Sequence, residues 1–243
     1  MNLSRYFEVK KGNIPIILSC PHGGFKKPQR IPNKTTGVKI ADKNTFFIAK
    51  LLINLLKVKN LEIYYILSKI HRSKIDLNRP SHSNSAFNHS STEAQNIFRA
   101  YQDQLNNYAQ ECVSEHNRAL IIDFHGFTKP YKGYPDVIFG HIFGKTLDLL
   151  EDSKEQGCNR YWGCAQLQDE ISKFFELDDG LALTNFNLSY SGGYITHQFY
   201  KRSNVSAIQI EVAKKIRLDF DRTNILVKAI ANAIINSVNR IKI

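Results

Sequence analysis

The 243-residue sequence lacks any long apolar run, and its first residues contain no apolar segment of the kind found in secretory signals. No stretch approaches the roughly 20 apolar residues that a membrane-spanning helix needs. We therefore expect a soluble, cytoplasmic protein with no membrane partner. The sequence also contains no internal repeat, no low-complexity segment and no recognisable linker, which favours a single domain over residues 1–243.

Cysteine is scarce. The four cysteines, Cys20, Cys112, Cys158 and Cys164, include no pair with the C-x-x-C spacing of zinc knuckles or thioredoxin-like redox motifs. Reduced thiols are therefore the expectation. Cys158 and Cys164 are near each other in sequence, and a disulfide between them is the less favoured alternative for a cytoplasmic chain.

Acidic residues are outnumbered, because 33 lysines and arginines against 22 aspartates and glutamates give a formal charge of +11. Such an excess raises the local concentration of anionic partners. The lysines occur in ones and twos, such as Lys26-Lys27 and Lys214-Lys215, and never as a block of five or more. A dispersed excess is typical of a solvated surface, so nucleic acid is not an expected partner. A non-catalytic domain that binds polyanions is the alternative function.

Short β-branched runs alternate with longer segments of helical spacing, the pattern of an α/β fold with a largely parallel sheet. The predicted strands are residues 15–20, 62–67, 119–124, 136–143 and 205–210. The predicted helices are residues 45–58, 92–115, 164–175 and 221–239. About 42% of the residues are hydrophobic, which is enough for a substantial core.

Polar side chains that can bind a metal or transfer protons follow the ends of four predicted strands. They are His22, then Asp76 with Arg79, then His125, and finally Glu211. Sites in open α/β sheets form at the carboxyl ends of strands, so we expect these residues to meet at one edge of the sheet.

Each of these residues also has a purely structural interpretation. His22, in Pro-His-Gly-Gly, either reaches a metal or ends a strand in a turn. Asp123 lies two residues before His125, on the same side of an extended strand, so it either accepts a proton from the imidazole or forms an Asx turn. Glu211 is either a buried general base or the first polar residue of a loop.

Residues 71–80 are dense in groups that bind anions. Arg79 can hold a carboxylate through paired hydrogen bonds, and Asn78 can add an amide donor. This combination predicts a substrate with a free carboxylate. The alternative is a solvated basic loop.

Six short motifs occur in order between residues 19 and 211. They are Ser19-Cys20-Pro21-His22-Gly23-Gly24, Ala41-Asp42, Arg72 with Asp76-Leu77-Asn78-Arg79-Pro80, Asp123-Phe124-His125-Gly126, Gly192-Gly193-Tyr194-Ile195-Thr196 and Ala207-Ile208-Gln209-Ile210-Glu211. Through these motifs the sequence resembles the N-formylglutamate amidohydrolase family, whose fold is related to that of zinc carboxypeptidases and succinylglutamate desuccinylases. The resemblance implies a three-layer α/β/α fold, phosphorylase/hydrolase-like and carboxypeptidase-related, with a central mixed, largely parallel sheet.

The resemblance also implies a mononuclear zinc (Zn2+) site with His22 and His125 as ligands. Glu211 would be the base that activates water, and Asn78 and Arg79 would bind the substrate carboxylate. Within the same set of motifs, Arg72 is assigned to catalysis. Asp76 and Asp123 are assigned to the groups that contact the metal ligands but not the metal itself.

The third ligand is the least directly implied. Carboxypeptidase-like relatives carry a glutamate three residues after the first histidine, where this chain has Phe25. We predict Asp42 as the substitute, and its alternative is to cap the helix that begins at Thr45. In the family, the Gly-Gly-Tyr-Ile-Thr motif is usually followed by a basic pair such as Arg-His. This chain has His197-Gln198 at those positions. Tyr194 and His197 are therefore the predicted substrate contacts of that loop.

These inferences together predict a zinc-dependent hydrolase that cleaves the amide bond of a small acidic N-acyl amino acid, such as N-formylglutamate. A zinc amidase or carboxypeptidase acting on a peptide or a peptidoglycan fragment is the alternative that keeps the same chemistry.

Overall fold

The computed structural model describes residues 3–149, 157–187 and 189–239, and at its centre is a seven-stranded mixed sheet. The strands are β1 Phe7–Lys10, β2 Ile16–Cys20, β3 Tyr64–Ser68, β4 Ala119–Phe127, β5 Val137–Gly140, β6 Leu177–Asp178 and β7 Val205–Ala213. Their order across the sheet is β1-β3-β2-β4-β7-β5-β6. The four central strands, β3, β2, β4 and β7, run parallel, while β1 and β5 pair antiparallel with their neighbours β3 and β7. The expected mixed, largely parallel sheet is confirmed.

Helices cover both faces of the sheet. They are α1 Thr45–Val58, α2 Thr92–His116, α3 Cys164–Ile171, α4 Tyr194–His197, α5 Lys214–Leu218 and α6 Phe220–Asn239, with short 3-10 helices at Leu3–Arg5 and Gly157–Arg160. One hydrophobic cluster joins α1, α3 and α6 to one face, and a second joins α2 to the other. This arrangement confirms the three-layer α/β/α architecture. Among the described helices, none is long and apolar enough to cross a membrane.

The alternation of side chains along β4 explains why that strand is apolar almost throughout. Leu120, Ile122 and Phe124 pack beneath α1, α3 and α6. Ala119 and Ile121, on the opposite side, pack against α2. Burial on both faces requires a continuous apolar run, which is what makes such a strand visible in a sequence.

The face that packs against α2 changes from apolar to polar toward the carboxyl ends of the central strands. In β7, Val205 and Ala207 belong to the α2 core, whereas the next residues on that side are Gln209 and Glu211. The same positions of β4 are residues 123 and 125, which pair in register with 209 and 211. The sheet therefore presents four adjacent polar side chains at one edge.

Strands β4 and β7 extend further than the sequence pattern predicts. β4 continues to Phe127 and β7 to Ala213, so His125 and Glu211 lie within strands and not after them. The loop interpretation of Glu211 and the Asx-turn interpretation of Asp123 are therefore wrong. Helix α3 ends at Ile171, earlier than predicted.

Candidate active site

Three buried side chains from separate parts of the chain converge at the carboxyl edge of the sheet. His22 follows β2, Asp42 precedes α1, and His125 lies in β4. Their potential ligand atoms all lie within 4.8 Å of one another. Oδ2 of Asp42 is 3.3 Å from His125 Nδ1 and 3.5 Å from His22 Nδ1.

The other nitrogen of each imidazole faces a buried carboxylate. His22 Nε2 lies 2.7 Å from Asp76 Oδ1, and His125 Nε2 lies 2.9 Å from Asp123 Oδ2. An ionised carboxylate only accepts hydrogen bonds, so each Nε2 donates and each Nδ1 faces the centre of the cluster. His22 Nδ1 is a buried atom without a hydrogen-bond partner among the described residues. Carboxylates that accept from the outer nitrogen are the usual support of metal-binding histidines, so the arrangement fits a cation held at the two Nδ1 atoms.

A buried hydrogen-bonded chain supports Asp123. Ser19 Oγ donates to Asp123 Oδ1 at 2.7 Å, and the Tyr101 hydroxyl lies 2.9 Å from Ser19 Oγ. Because the serine proton goes to the carboxylate, Tyr101 is the donor to Ser19. Burial alone would lower the pKa of His125, but Asp123 and Asp42 raise it well above its usual value. Negative charge is thus concentrated around this imidazole.

Asp76 is held by two cations. Arg72 Nε donates to Asp76 Oδ2 at 2.8 Å, and the buried Lys34 Nζ donates to the same oxygen at 3.3 Å. Arg72 also reaches Asp42 Oδ1 through Nη1 at 3.3 Å, which ties the two carboxylates together. Burial alone would raise the pKa of Asp76, but His22, Arg72 and Lys34 hold it well below its usual value. Asp76 is therefore ionised and accepts from His22.

The carboxylate of Asp42 faces the cluster and does not cap a helix. Its Oδ2 accepts from the Gly126 amide at 3.1 Å. The residue at the cap position of α1 is Asn44, while Thr45 bonds only to the main-chain oxygen of Asp42. The N-cap interpretation of Asp42 is therefore wrong. Burial alone would raise the pKa of Asp42, but the neighbouring imidazoles of His125 and His22 hold it below its usual range.

Glu211 stands beside His125 on the neighbouring strand. Gln209 Nε2 donates to Glu211 Oε1 at 2.6 Å. Glu211 Oε2 is buried and has no hydrogen-bond partner in the described part of the chain. Burial raises the pKa of Glu211 above its usual value, and the charge on His125 offsets only part of that rise. One carboxylate oxygen is thus held in place while the other is left for a reacting molecule.

Asn78 and Arg79 lie at the wall of the same cleft. Asn78 Oδ1 accepts from the Ile195 amide at 2.8 Å, and its Nδ2 is 3.2 Å from His125 Nε2. That nitrogen already donates to Asp123 and offers no lone pair, so the amide hydrogens of Asn78 remain for another acceptor. Arg79 Nη1 donates to the main-chain oxygen of Asn78 at 2.9 Å. Within the described ranges no carboxylate forms an ion pair with Arg79.

These side chains surround a cleft of about 540 Å³. Its lining includes His22, Asp42, Arg72, Asn78, Arg79, His125, Tyr190, Gln209 and Glu211. The two predicted substrate contacts of the Gly-Gly-Tyr-Ile-Thr loop, Tyr194 and His197, do not line this cleft. The Tyr194 ring packs 6.2 Å from Phe98, measured between centroids, and His197 is exposed at the end of α4. Their predicted roles remain predictions.

Two motif glycines are explained by close approach. A Cβ atom on Gly193 would lie 2.1 Å from Asn78 Nδ2, and one on Gly126 would lie 2.2 Å from Arg217 Nε. Arg217 is buried and donates to the main-chain oxygens of residues 43, 127 and 212, so it has little freedom to move. Any larger residue at either position would push a wall of the cleft out of place.

Sequence reasoning missed several contributors to the cleft and its support. Gln209 carries a weak signal, since it is a polar residue two positions before Glu211 in an otherwise apolar strand. Tyr101 and Lys34 carry none, because each acts through a partner that is distant in sequence. The list of missed residues also includes Ser19, Tyr190 and Arg217.

Comparison with known proteins identifies relatives of the fold and the family of the chain. The fold is similar to the N-formylglutamate amidohydrolase of Ralstonia eutropha JMP134, with 13% identity, a TM-score of 0.69 and 98% of each chain covered. It is also similar to the gene product Atu2144 of Agrobacterium tumefaciens, with 14% identity, a TM-score of 0.66, and 97% of this chain and 94% of that one covered. A search of curated proteins found no match. The family model of N-formylglutamate amidohydrolase matches residues 91–217, more than half of the sequence. The chain therefore belongs to the N-formylglutamate amidohydrolase family and is an amide-bond hydrolase.

Proposed function

We propose that this protein is a zinc-dependent hydrolase that cleaves the amide bond of a small acidic N-acyl amino acid such as N-formylglutamate. One observation carries the proposal: the Nδ1 atoms of His22 and His125 and the Asp42 carboxylate converge close to Glu211. Membership of the family supports an amide bond and an N-acyl amino acid as the substrate class.

The donor set matches catalytic zinc, which commonly takes three protein ligands of the nitrogen and oxygen type and keeps one position open. His22, His125 and Asp42 would hold the ion, while Asp76 and Asp123 would keep the imidazoles oriented through their Nε2 atoms. When bound, zinc would polarise the scissile carbonyl and make water a stronger acid.

Glu211 is the proposed general base. Its Oε2, which has no hydrogen-bond partner among the described residues, accepts a proton from the attacking water while the water oxygen bonds to the carbonyl carbon. The same oxygen then gives the proton to the leaving nitrogen as the carbon–nitrogen bond breaks, which releases an acid and an amine. The raised pKa of Glu211 suits both transfers, because it brings the carboxyl closer to neutral pH. Gln209 keeps the carboxylate in one orientation.

Substrate binding is proposed for Arg79 and Asn78. Arg79 supplies a positive charge that no described carboxylate neutralises, and Asn78 supplies amide hydrogens. Together they suit the carboxylate of an amino acid. Arg72 is held at the cleft wall by Asp42 and Asp76, and its charge would stabilise the oxygen that becomes negative during attack. Tyr190, in the loop that precedes α4, also lines the cleft.

We also propose that residues 1–243 act as one amidohydrolase domain, since β4, β7 and the segment that follows β2 of the same sheet all contribute to the cleft. The charge of +11 alone supports the alternative of a polyanion-binding domain. The buried Glu211 Oε2 lies beside His125 and has no hydrogen-bond partner in the described part of the chain. This favours the hydrolase, because a surface that only binds anions would not need such a group.

Metal analysis of the purified protein, together with an assay on N-formylglutamate, tests the proposal. We expect about one zinc ion per chain and release of formate and glutamate. His125→Ala should lose both the metal and the activity. His82→Ala is the matched control, because His82 is exposed and lies outside the cleft. A wild-type protein without zinc, or a His125→Ala protein with the wild-type zinc content, would overturn the metal site.

A further inference from the structure

A second groove, of about 830 Å³, lies next to the cleft. Thr128 and Lys214 line both of them, so a ligand could extend from one into the other without leaving the surface. The groove is formed by the segment that follows β4, by α5 and by the start of α6. We call it the lysine groove and define it by Lys129, Lys132, Lys214, Lys215 and Arg222.

The lysine groove carries more positive than negative charge. Asp136 neutralises part of it, because Lys129 and Arg222 each lie 2.8 Å from one of its oxygens. Glu176 lies 3.8 Å from Lys129. Lys132 and Lys215 are exposed and form no ion pair with any described carboxylate. Two ammonium groups are thus left for an anion from solution, with Lys214 at the junction to the cleft.

Apolar surface lies between these charges. Tyr131 is 54% exposed, Phe174 is 56% exposed and Leu218 is 45% exposed, and all three line the groove. Lysines set among exposed apolar side chains suit a flexible acidic chain, whose carboxylates pair with the ammonium groups while its methylene groups cover the apolar surface.

Resting on the proposed function, we propose that the lysine groove binds the extension of the substrate. The substrate would be an N-acylated acidic oligopeptide whose scissile amide lies in the cleft and whose further carboxylates lie in the groove. The cleft alone is within the size range of pockets that hold ligands larger than one N-acyl amino acid, which agrees with an extended substrate.

Three substrates separate length from charge: N-formylglutamate, N-formyl-Glu-Glu-Glu and N-formyl-Glu-Ala-Ala. The wild-type protein should have a kcat/KM for the triglutamate about tenfold higher than for the alanine peptide, because several exposed ion pairs each contribute a small factor. The preference should weaken as salt is added.

Lys132→Glu combined with Lys215→Glu should remove the preference for the triglutamate over the alanine peptide. The double replacement by arginine should keep it, because the charge is retained. Lys59→Glu is the control for a surface charge change, since Lys59 is an exposed residue just after α1. It should leave both the preference and the rates unchanged.

The outcomes distinguish the two proposals. Hydrolysis of N-formylglutamate without a preference for the triglutamate would overturn the lysine groove and leave the proposed function intact. A preference that survives the double glutamate variant would also overturn it. Failure to hydrolyse any of the three would remove the proposed function, and the groove with it.

Discussion

Two buried groups of metal-capable side chains lie in the described part of the molecule, and they differ in what surrounds their histidines. In the first group, His22, Asp42 and His125, each Nε2 atom donates to a carboxylate and each Nδ1 atom faces the centre. His22 Nδ1 has no hydrogen-bond partner among the described residues. This group therefore has the features of a metal-ligand set.

The second group consists of His141, Cys158 and Cys164. Here both imidazole nitrogens are used by the main chain, since Nδ1 accepts from Gly144 at 2.9 Å and Nε2 donates to the oxygen of Asp179 at 2.7 Å. The cysteines are free thiols in contact, and burial together with Cys158 raises the pKa of Cys164 well above its usual value. Proximity alone does not make a metal site; spare lone pairs and outer carboxylates do.

The comparison is tested most strongly at Glu211, the proposed general base beside the first group. Glu211→Gln should lower kcat by about 10²- to 10⁴-fold, because it replaces the free oxygen that takes the proton from water. The zinc content should stay the same, since Glu211 is not among the proposed ligands. Rate measurements and metal analysis on one preparation check both points. Glu62→Gln, on the surface beside Lys10, is the control and should keep the full rate. An unchanged rate in Glu211→Gln would assign the base to another residue.

The outer carboxylates give the second largest effect. Asp123→Asn should weaken zinc binding by about 10- to 100-fold, because the amide is a weaker acceptor for His125 Nε2 and can present its NH2 group instead. Competition with a chelator of known affinity measures the change. The exposed Asp103→Asn should bind zinc as tightly as the wild type. Equal affinity in Asp123→Asn would mean that the carboxylates do not distinguish the two groups.

A substitution at Gln209 tests whether Glu211, the proposed general base, must be held in one orientation. Gln209→Leu removes the hydrogen bond to Glu211 Oε1 and should lower kcat by about tenfold, as expected for one bond to a charged group. Zinc content and KM should change little. Gln209→Glu would add a second carboxylate beside Glu211 and should shift the pH profile, which a purely structural role would not do. If Gln209→Leu keeps the wild-type kcat, Glu211 is positioned by other contacts.

The central part of the fold was predictable because its strands are buried on both faces and therefore read as apolar runs. Predicted strand 119–124 and helix 45–58 correspond to β4 and α1. β1 was not predicted, because Phe7–Lys10 is an edge strand of only four residues, too short for its alternation of polarity to stand out. β6 has only two residues and no pattern at all. The ends of β4 and β7 were placed too early because the polar site residues interrupt the apolar run that identifies a strand.

The candidate site was predictable where a metal-binding or acidic residue follows an apolar run, or where a family motif marks the residue. His22, His125 and Glu211 meet that condition, and the structure brings them together with Asp42. Lys34 could not be predicted, since a lysine in a loop gives no sign that it will be buried against a carboxylate 42 positions later. Tyr194 lies outside the lining of the cleft and its ring packs against Phe98. This contact is also tertiary and could not be predicted from the sequence.

The smallest effect is expected in the second group. Cys164→Ala should leave the zinc content at about one per chain, because both imidazole nitrogens of the group are already hydrogen-bonded to the main chain. It should lower the free energy of unfolding by about 1 kcal/mol, as for a small deletion in a core. Urea unfolding and metal analysis measure the two quantities. Cys112→Ala is the matched control, since Cys112 is equally buried but belongs to the core beneath α2. Two zinc ions in the wild type and one in Cys164→Ala would mean that both groups bind metal. The hydrogen bonds of the imidazole nitrogens would then not distinguish a metal-binding group from one that binds none.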